Sequence, residues 1–382
     1  MIPTTPREEQ PPASGHGDAA QERVSTLELF FDLVFALTIT QVSTVLVNSP
    51  DAGSVARAAV ELSSIFWMYG GYAWMTNAAP PNTWPRRCLL LLGMAGFFIC
   101  ALAVPRAFDD DGIVFGIGYM LVNFVHLTGF WLAPDRAPRR SIYRLAVWNL
   151  TSASLVLAAG WTHGNADWWP WGCALVVQIA TPLVGRAGLG FGLRAAHFAE
   201  RHGLMILIVL GESLLSVGIA AQHKAVDAAL VLGVLAGLAL TAGMWWVYFV
   251  DEDENAAHAF ERAPPASKVM GALAGYGVAH LLMIGGVVAV AAGTRLSVND
   301  LMAQTTAFPA WLIAGGTALF LLGAALFRWA LRIGRAGPRA AGAALVLLTG
   351  FAGTQGSTAT ELAAAAVIIA TMLAVERRVE PC

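Results

Sequence analysis

Leu27-Glu28-Leu29-Phe30-Phe31-Asp32-Leu33-Val34-Phe35 opens an apolar run that continues to residue 47. A helix needs about 20 such residues to cross the hydrocarbon core of a bilayer. Comparable runs follow at 55–77, 87–106, 112–133, 142–160, 168–186, 202–221, 226–250, 268–292, 307–330, 340–356 and 358–376. The last two of these are short enough to read as a re-entrant hairpin as well as two crossings. Because the runs are continuously apolar rather than alternating, they exclude a transmembrane β-barrel. The chain is therefore predicted to be all-α, a polytopic transmembrane helix bundle of about 12 spans.

Composition points the same way. Of 382 residues 57% are hydrophobic and 13% charged, with a mean hydropathy of +0.62. Soluble domains carry about a quarter charged residues. The net charge of −2 gives no field that would attract nucleic acid. Cys88, Cys100, Cys173 and Cys382 have no CxxC or zinc-like spacing. No Walker A, HExxH or GxSxG pattern occurs, so nothing implies a resident metal or cofactor. The partners this leaves are the lipid bilayer itself and a proton, ion or small solute.

Loop charges set an expected orientation. Nineteen of the 23 Lys and Arg fall on the side holding both termini, and four on the other. By the positive-inside rule both termini are cytoplasmic, in the inner membrane. Residues 1–26 read as a disordered cytoplasmic tail, 27–186 as a six-helix unit and 187–201 as a cytoplasmic connection. Residues 202–376 read as a second six-helix unit and 377–382 as a cytoplasmic C-terminus. Two parallel repeats are suggested by Glu22-Arg23 before the first span and Glu200-Arg201 before the seventh. Tyr72-Ala73-Trp74 and Trp245-Trp246-Val247-Tyr248, near the ends of spans two and eight, add to this. Trp161, Trp168, Trp169 and Trp171 are expected to anchor the outer interface.

Ionisable residues at membrane depth need a reason. Glu28 and Asp32 are four apart, which places both carboxylates on one helix face; Glu28 is near enough to the interface to reach headgroups or water. Asp32 reads either as a pathway residue or as packing glue bonded to a neighbouring helix or an Arg. On the seventh span Arg201, Met205, Ile208, Glu212 and Ser216 share a stripe, with His197 nearby. Arg201 and Glu212 are about 16 Å apart along the axis, too far to pair. Arg201 can instead neutralise Glu28. Secondary candidates are Glu61, His126, Gln178, Trp246 and His280. The run Asp251-Glu252-Asp253-Glu254-Asn255 reads as a solvated acidic loop, or as a mouth able to hold Mg²⁺ and a diphosphate.

Glu28-Leu29-Phe30-Phe31-Asp32-Leu33-Val34-Phe35 with Ile39-Thr40-Gln41 resembles the N-terminal signature of the low temperature requirement A (LtrA) proteins. His197-Phe198-Ala199-Glu200-Arg201-His202-Gly203, then Leu210-Gly211-Glu212-Ser213, resembles that family's second signature, and Trp245-Trp246-Val247-Tyr248-Phe249 fits as well. The resemblance implies a bacterial polytopic membrane protein and marks the signature residues Glu28, Asp32, His197, Glu200, Arg201 and Glu212 as site candidates.

The leading functional expectation is a transporter whose Glu28, Asp32 and Glu212 line an internal carboxylate pathway. A pseudo-two-fold axis would bring spans one and seven together, and Asp32 and Glu212 into one site. The alternatives are an intramembrane enzyme acting on a lipid or isoprenoid substrate, with the acids as general acid or base, and a non-catalytic lipid-binding or scaffolding protein.

Overall fold

The computed structural model describes residues 24–133, 139–162, 168–185, 194–250 and 252–379. Most of the expected tail, the start of the expected connection, Asp251 and Cys382 lie outside them. Among the described residues every regular element is helical. The first six helices are α1 (Thr26–Asn48), α2 (Ala52–Ala78), α3 (Trp84–Ala103), α4 (Gly112–Trp131), α5 (Arg139–Ala159) and α6 (Trp168–Gly185). They are followed by α7 (Ala195–Ala221), α8 (Ala228–Phe249) and a short α9 (Glu252–Arg262). The ninth span comprises α10 (Pro265–Met270), a π-helical segment (Gly271–Ala279) and α11 (His280–Ser297). The chain ends with α12 (Ala307–Leu331), α13 (Gly337–Val346), α14 (Thr349–Gln355) and α15 (Thr358–Val379).

Local chemistry sets several boundaries. Ser25 caps α1 in a reciprocal capping box with Glu28. Asp51 and Asp227 cap α2 and α8 through the Ser54 and Leu230 amides at 2.7 and 2.8 Å. Pro85 stands in the first turn of α3, where its missing N–H is no loss.

Nine spans among the described residues are long and apolar enough to cross a membrane. The helices outside that set are expected spans too. α2 is 27 residues long but carries Glu61, Tyr69, Tyr72, Thr76 and Asn77, all of which the bundle buries. α6 has 18 residues and packs along α5 and α2. The eleventh span is broken between α13 and α14. It lies antiparallel to α15, with Arg339 paired to Glu376 near one end and Gly353 against Glu361 towards the other. Residues 361–376 are most of α15, so the broken helix accompanies it along most of its length.

The order of neighbours repeats. In the first half α1 packs on α2 and α3, α3 on α4, α4 on α5, α5 on α6, and α2 on α4 and α6. In the second half α7 packs on α8 and α11, α11 on α12, α12 on α13–α14, these on α15, and α8 on α12 and α15. The halves meet where α1 and α2 touch α7 and α11. α11 and α12 approach so closely that a Cβ on Gly286 would collide with the Gly316 carbonyl, the small-residue contact common between membrane helices.

Two interface expectations need correcting. Trp161, Trp168 and Trp169 are exposed as anchors should be, but Trp171 is 1% exposed and stacks on Phe108 at 5.0 Å. The described part of the acidic run after α8 is not a loop: residues 252–255 open the helix α9, with Glu252 buried against two arginines and Glu254 and Asn255 exposed.

Candidate functional site

α1 and α7 leave the same end of the bundle and lie in contact, so their i, i+4 pairs meet in register. His197 faces Glu28, and Arg201, one turn on, faces Asp32. His197 Nε2 lies 3.3 Å from both Glu28 oxygens. The Ser25 amide and hydroxyl donate to Glu28 Oε2 at 3.0 and 2.8 Å. Glu28 is therefore sealed in, at 2% exposure, and does not reach headgroups or water. The capping box closes the route that its depth alone would allow.

Arg201 is fully buried. Nη2 donates to Asp32 Oδ1 at 3.1 Å and Nε to the same oxygen at 3.4 Å, while Nη1 donates to Thr76 Oγ1 at 2.5 Å. Nη1 also lies 3.6 Å from Glu28 Oε1, and the guanidinium rests over the Phe31 and Tyr69 rings at 5.1 and 5.4 Å. The Tyr69 hydroxyl gives Asp32 Oδ1 a further bond at 3.0 Å. Asp32 Oδ2 and His197 Nδ1 are buried with no partner among the described residues. Two carboxylates thus share one guanidinium and one imidazole. The formal charges cancel only when a further proton sits on His197 or on a carboxyl group.

Glu212 belongs to a second station further along the same seam. It accepts from the Thr40 hydroxyl and lines a hollow of about 10 Å³ with Ser43, Ser213 and Ser216, roughly what one water centre needs. Arg295, which donates to Ser43 and Thr44 at 3.2 and 3.4 Å, lies within electrostatic reach. Thr40 is eight residues beyond Asp32, about 12 Å along α1. Buried Ala36, Met205 and Val209 fill the interval. Spans one and seven do touch, but Asp32 and Glu212 have separate partners, so the expected shared site resolves into two stations.

The remaining candidates scatter. Glu200 is exposed and accepts from the Val24 amide at 3.2 Å. Trp246, 43% exposed, points outward under Arg377 at 5.6 Å. Gln178 donates to Tyr119 and Ser152 at 2.5 and 3.1 Å. His280 bonds Tyr248 and the Gly275 carbonyl, each at 2.9 Å. His126 contacts Asn149 at 3.3 Å. Glu61 is buried with Oε2 unpartnered. Gln178 and His126 border a cavity of about 360 Å³ between the two halves.

Sequence reading missed Tyr69 and Thr76, the partners of Asp32 and Arg201. Their seven-residue spacing, two helical turns, is the signal that could have found them. It also missed the second buried ion cluster. There Arg328 reaches Glu252 at 2.8 Å and Glu376 at 3.3 Å, and Arg339 reaches Glu376 at 3.1 Å and Glu252. These residues are far apart in sequence and no local spacing links them.

Residues 23–375 match the family described as Bacterial low temperature requirement A protein (LtrA). An uncharacterised protein of Rhizobium meliloti (strain 1021) is 28% identical over 315 residues, covering 79% of this chain and 76% of its own length. No solved structure matches. The family match spans both signatures, the charged seam and nearly every helix of the bundle, and the chain belongs to the LtrA family of bacterial multi-pass membrane proteins.

Proposed function

We propose that this protein is a transporter of the inner membrane, and that the α1–α7 seam carries its coupling proton or small cation. The observation behind this reading is the pair of carboxylate stations on one helix–helix seam, parted by a single apolar layer. With the arginine-rich end taken as cytoplasmic, Glu28 and Asp32 form the inner station and Glu212 the outer one. Acids at membrane depth, as Asp32 and the half-buried Glu212 are, mark ion and proton paths in membrane proteins. The layer of Ala36, Met205 and Val209 serves as the barrier that keeps the stations from exchanging freely, and rocking of one half against the other would open it. The repeated order of helix neighbours supports treating the halves as two six-helix repeats.

The enzyme alternative has less support. No Asp or Glu among the described residues lines the large cavity, so a lipid held there would meet no carboxyl acid or base.

The test uses purified full-length protein in liposomes loaded with a pH-reporting dye, with a proton gradient imposed. Glu212→Gln is expected to lower proton flux on the order of a hundredfold, with unchanged elution on size exclusion. Flux equal to wild type in that variant would sink the reading. No flux in any variant, wild type included, would favour a lipid-binding or scaffolding role.

A further inference from the structure

The large cavity is a different kind of place from the seam. Its wall comes from α2, α4, α5, α6, α7 and the ninth span, so it lies where the two halves face each other. Among the residues lining it there is no Lys, Arg, Asp or Glu, and Phe66, Trp67, Trp74, Phe130 and Phe198 supply most of its bulk. A phosphate or carboxylate headgroup placed there would lose its hydration with no counter-charge in return.

The wall is not wholly apolar, however. Tyr276 belongs to the lining, and its buried Oη has no hydrogen-bond partner among the described residues, whereas His126, also in the lining, sets its Nε2 against Gly71 of α2. A buried hydroxyl is seldom left so, and one in a cavity wall can turn to bond the head of a ligand. The helical wall is special at the same place. Tyr276 stands in the π-helical segment Gly271–Ala279, five of whose residues line the cavity. Such wide turns concentrate at functional sites.

The rim shows where an occupant would come from. Ile179 and Val278 border the cavity and are 62% and 50% exposed. Both sit well inside spans, where exposure means contact with acyl chains rather than water.

We propose that this cavity binds a neutral lipid-borne molecule with an apolar body and an uncharged hydrogen-bonding head, of the isoprenoid-alcohol type. The ligand passes from the bilayer between α6 and the π-helical segment, and the Tyr276 hydroxyl takes its head. A volume of about 360 Å³ falls in the range of small-molecule sites. One wall residue also touches the charged seam: His202 packs edge-on against Tyr69 at 6.2 Å, and the Tyr69 hydroxyl bonds Asp32. The binding proposal does not depend on the seam carrying protons.

Gly70 makes a clean test possible. It lines the cavity, and a Cβ there would meet nothing within 4 Å, so Gly70→Leu fills the space without pressing on backbone. Full-length protein in phosphatidylcholine vesicles would be photolabelled with diazirine-bearing farnesol, and in parallel with diazirine-bearing phosphatidylcholine, and labelled peptides mapped by mass spectrometry. The farnesol probe is expected to mark α2, α6 or the π-helical segment, to be displaced by unlabelled farnesol, and to fall about tenfold in Gly70→Leu. Tyr276→Phe should weaken it while leaving the melting temperature near wild type, since the hydroxyl it removes bonds nothing among the described residues. Should Gly70→Leu fail to fold, Ile179→Trp at the rim, where little packing is lost, provides the second arm. Labelling that persists in both variants, or that unlabelled farnesol does not displace, overturns the proposal. Equal labelling of the same peptides by the phosphatidylcholine probe also overturns it, since the occupant would then be an ordinary acyl chain.

Discussion

Two clusters of buried charge sit at the same end of this bundle, and they are built on different principles. In the second half Glu252, Arg328, Arg339 and Glu376 join α9, α12, α13 and α15. Two guanidinium groups meet two carboxylates, and each arginine bonds both acids. In the first half Glu28 and Asp32 share Arg201 and His197, with Asp32 Oδ2 and His197 Nδ1 left over. The first arrangement is closed, with charge and hydrogen bonds both accounted for. The second is one proton short of balance and retains places to put it. A closed cluster holds helices together; an open one can change its state without taking the helices apart. On the proposed function, this difference separates a clamp from a working site more sharply than burial does, since both are almost wholly buried.

The strongest way to break the comparison is to remove the cations. Arg201→Met strands Asp32 and Glu28 together and is expected to cost about 4 kcal/mol, while Arg339→Met leaves Arg328 in place and should cost somewhat less, about 3 kcal/mol. Thermal unfolding in detergent measures both. Adding Glu376→Gln should restore much of the Arg339→Met loss, because the pair is then neutral. Absence of that rescue would mean the second cluster is not the balanced unit described.

Removing single acids sharpens it. Glu376→Gln opens a closed cluster and should cost about 2 kcal/mol. Asp32→Asn takes the surplus charge from an open one, keeps an oxygen for Tyr69 and Arg201, and should cost under about 1 kcal/mol while abolishing proton flux in liposomes. If Asp32→Asn destabilised the protein more than Glu376→Gln, the first cluster would have to be regarded as a clamp as well. The smallest effect on flux belongs to Tyr69→Phe, which removes one buried hydrogen bond to Asp32, about 1 kcal/mol, and leaves the Arg201 contact. It should lower the melting temperature slightly and slow proton uptake without stopping it.

Much of this could be read from the sequence because the signals were local. The apolar runs that predict spans 27–47 or 307–330 are contiguous, and α1 and α12 occupy them with ends shifted by only one residue. The i, i+4 spacing of Glu28 and Asp32 placed them on one face, and the seam between spans one and seven followed from the repeat argument. What escaped was set by three-dimensional encounter. Glu252 meets Arg339 across 87 positions of sequence, and nothing near either residue announces the other. Thr40 stands inside the first signature, but its bond to Glu212 depends on the depth at which α7 slides against α1. The cavity is a space between helices and has no sequence signature of its own. Its walls read as unremarkable aromatic span residues until α2 and α6 are set beside the ninth span.

The π-helical segment in the ninth span bears on how this chain should be compared with its relatives. An α-helix repeats every 3.6 residues, whereas the bonds from Gly271 to Ala279 close over one residue more per turn. A helical wheel drawn through the whole span therefore assigns the wrong faces on one side of the wide turn, and His280 falls a position out of phase with Lys268. A relative whose sequence lacks a single residue here would not have lost a membrane crossing. It would have an ordinary helix in place of the swollen one, and a one-residue gap in that stretch would mark a change in the shape of the cavity wall rather than an alignment error.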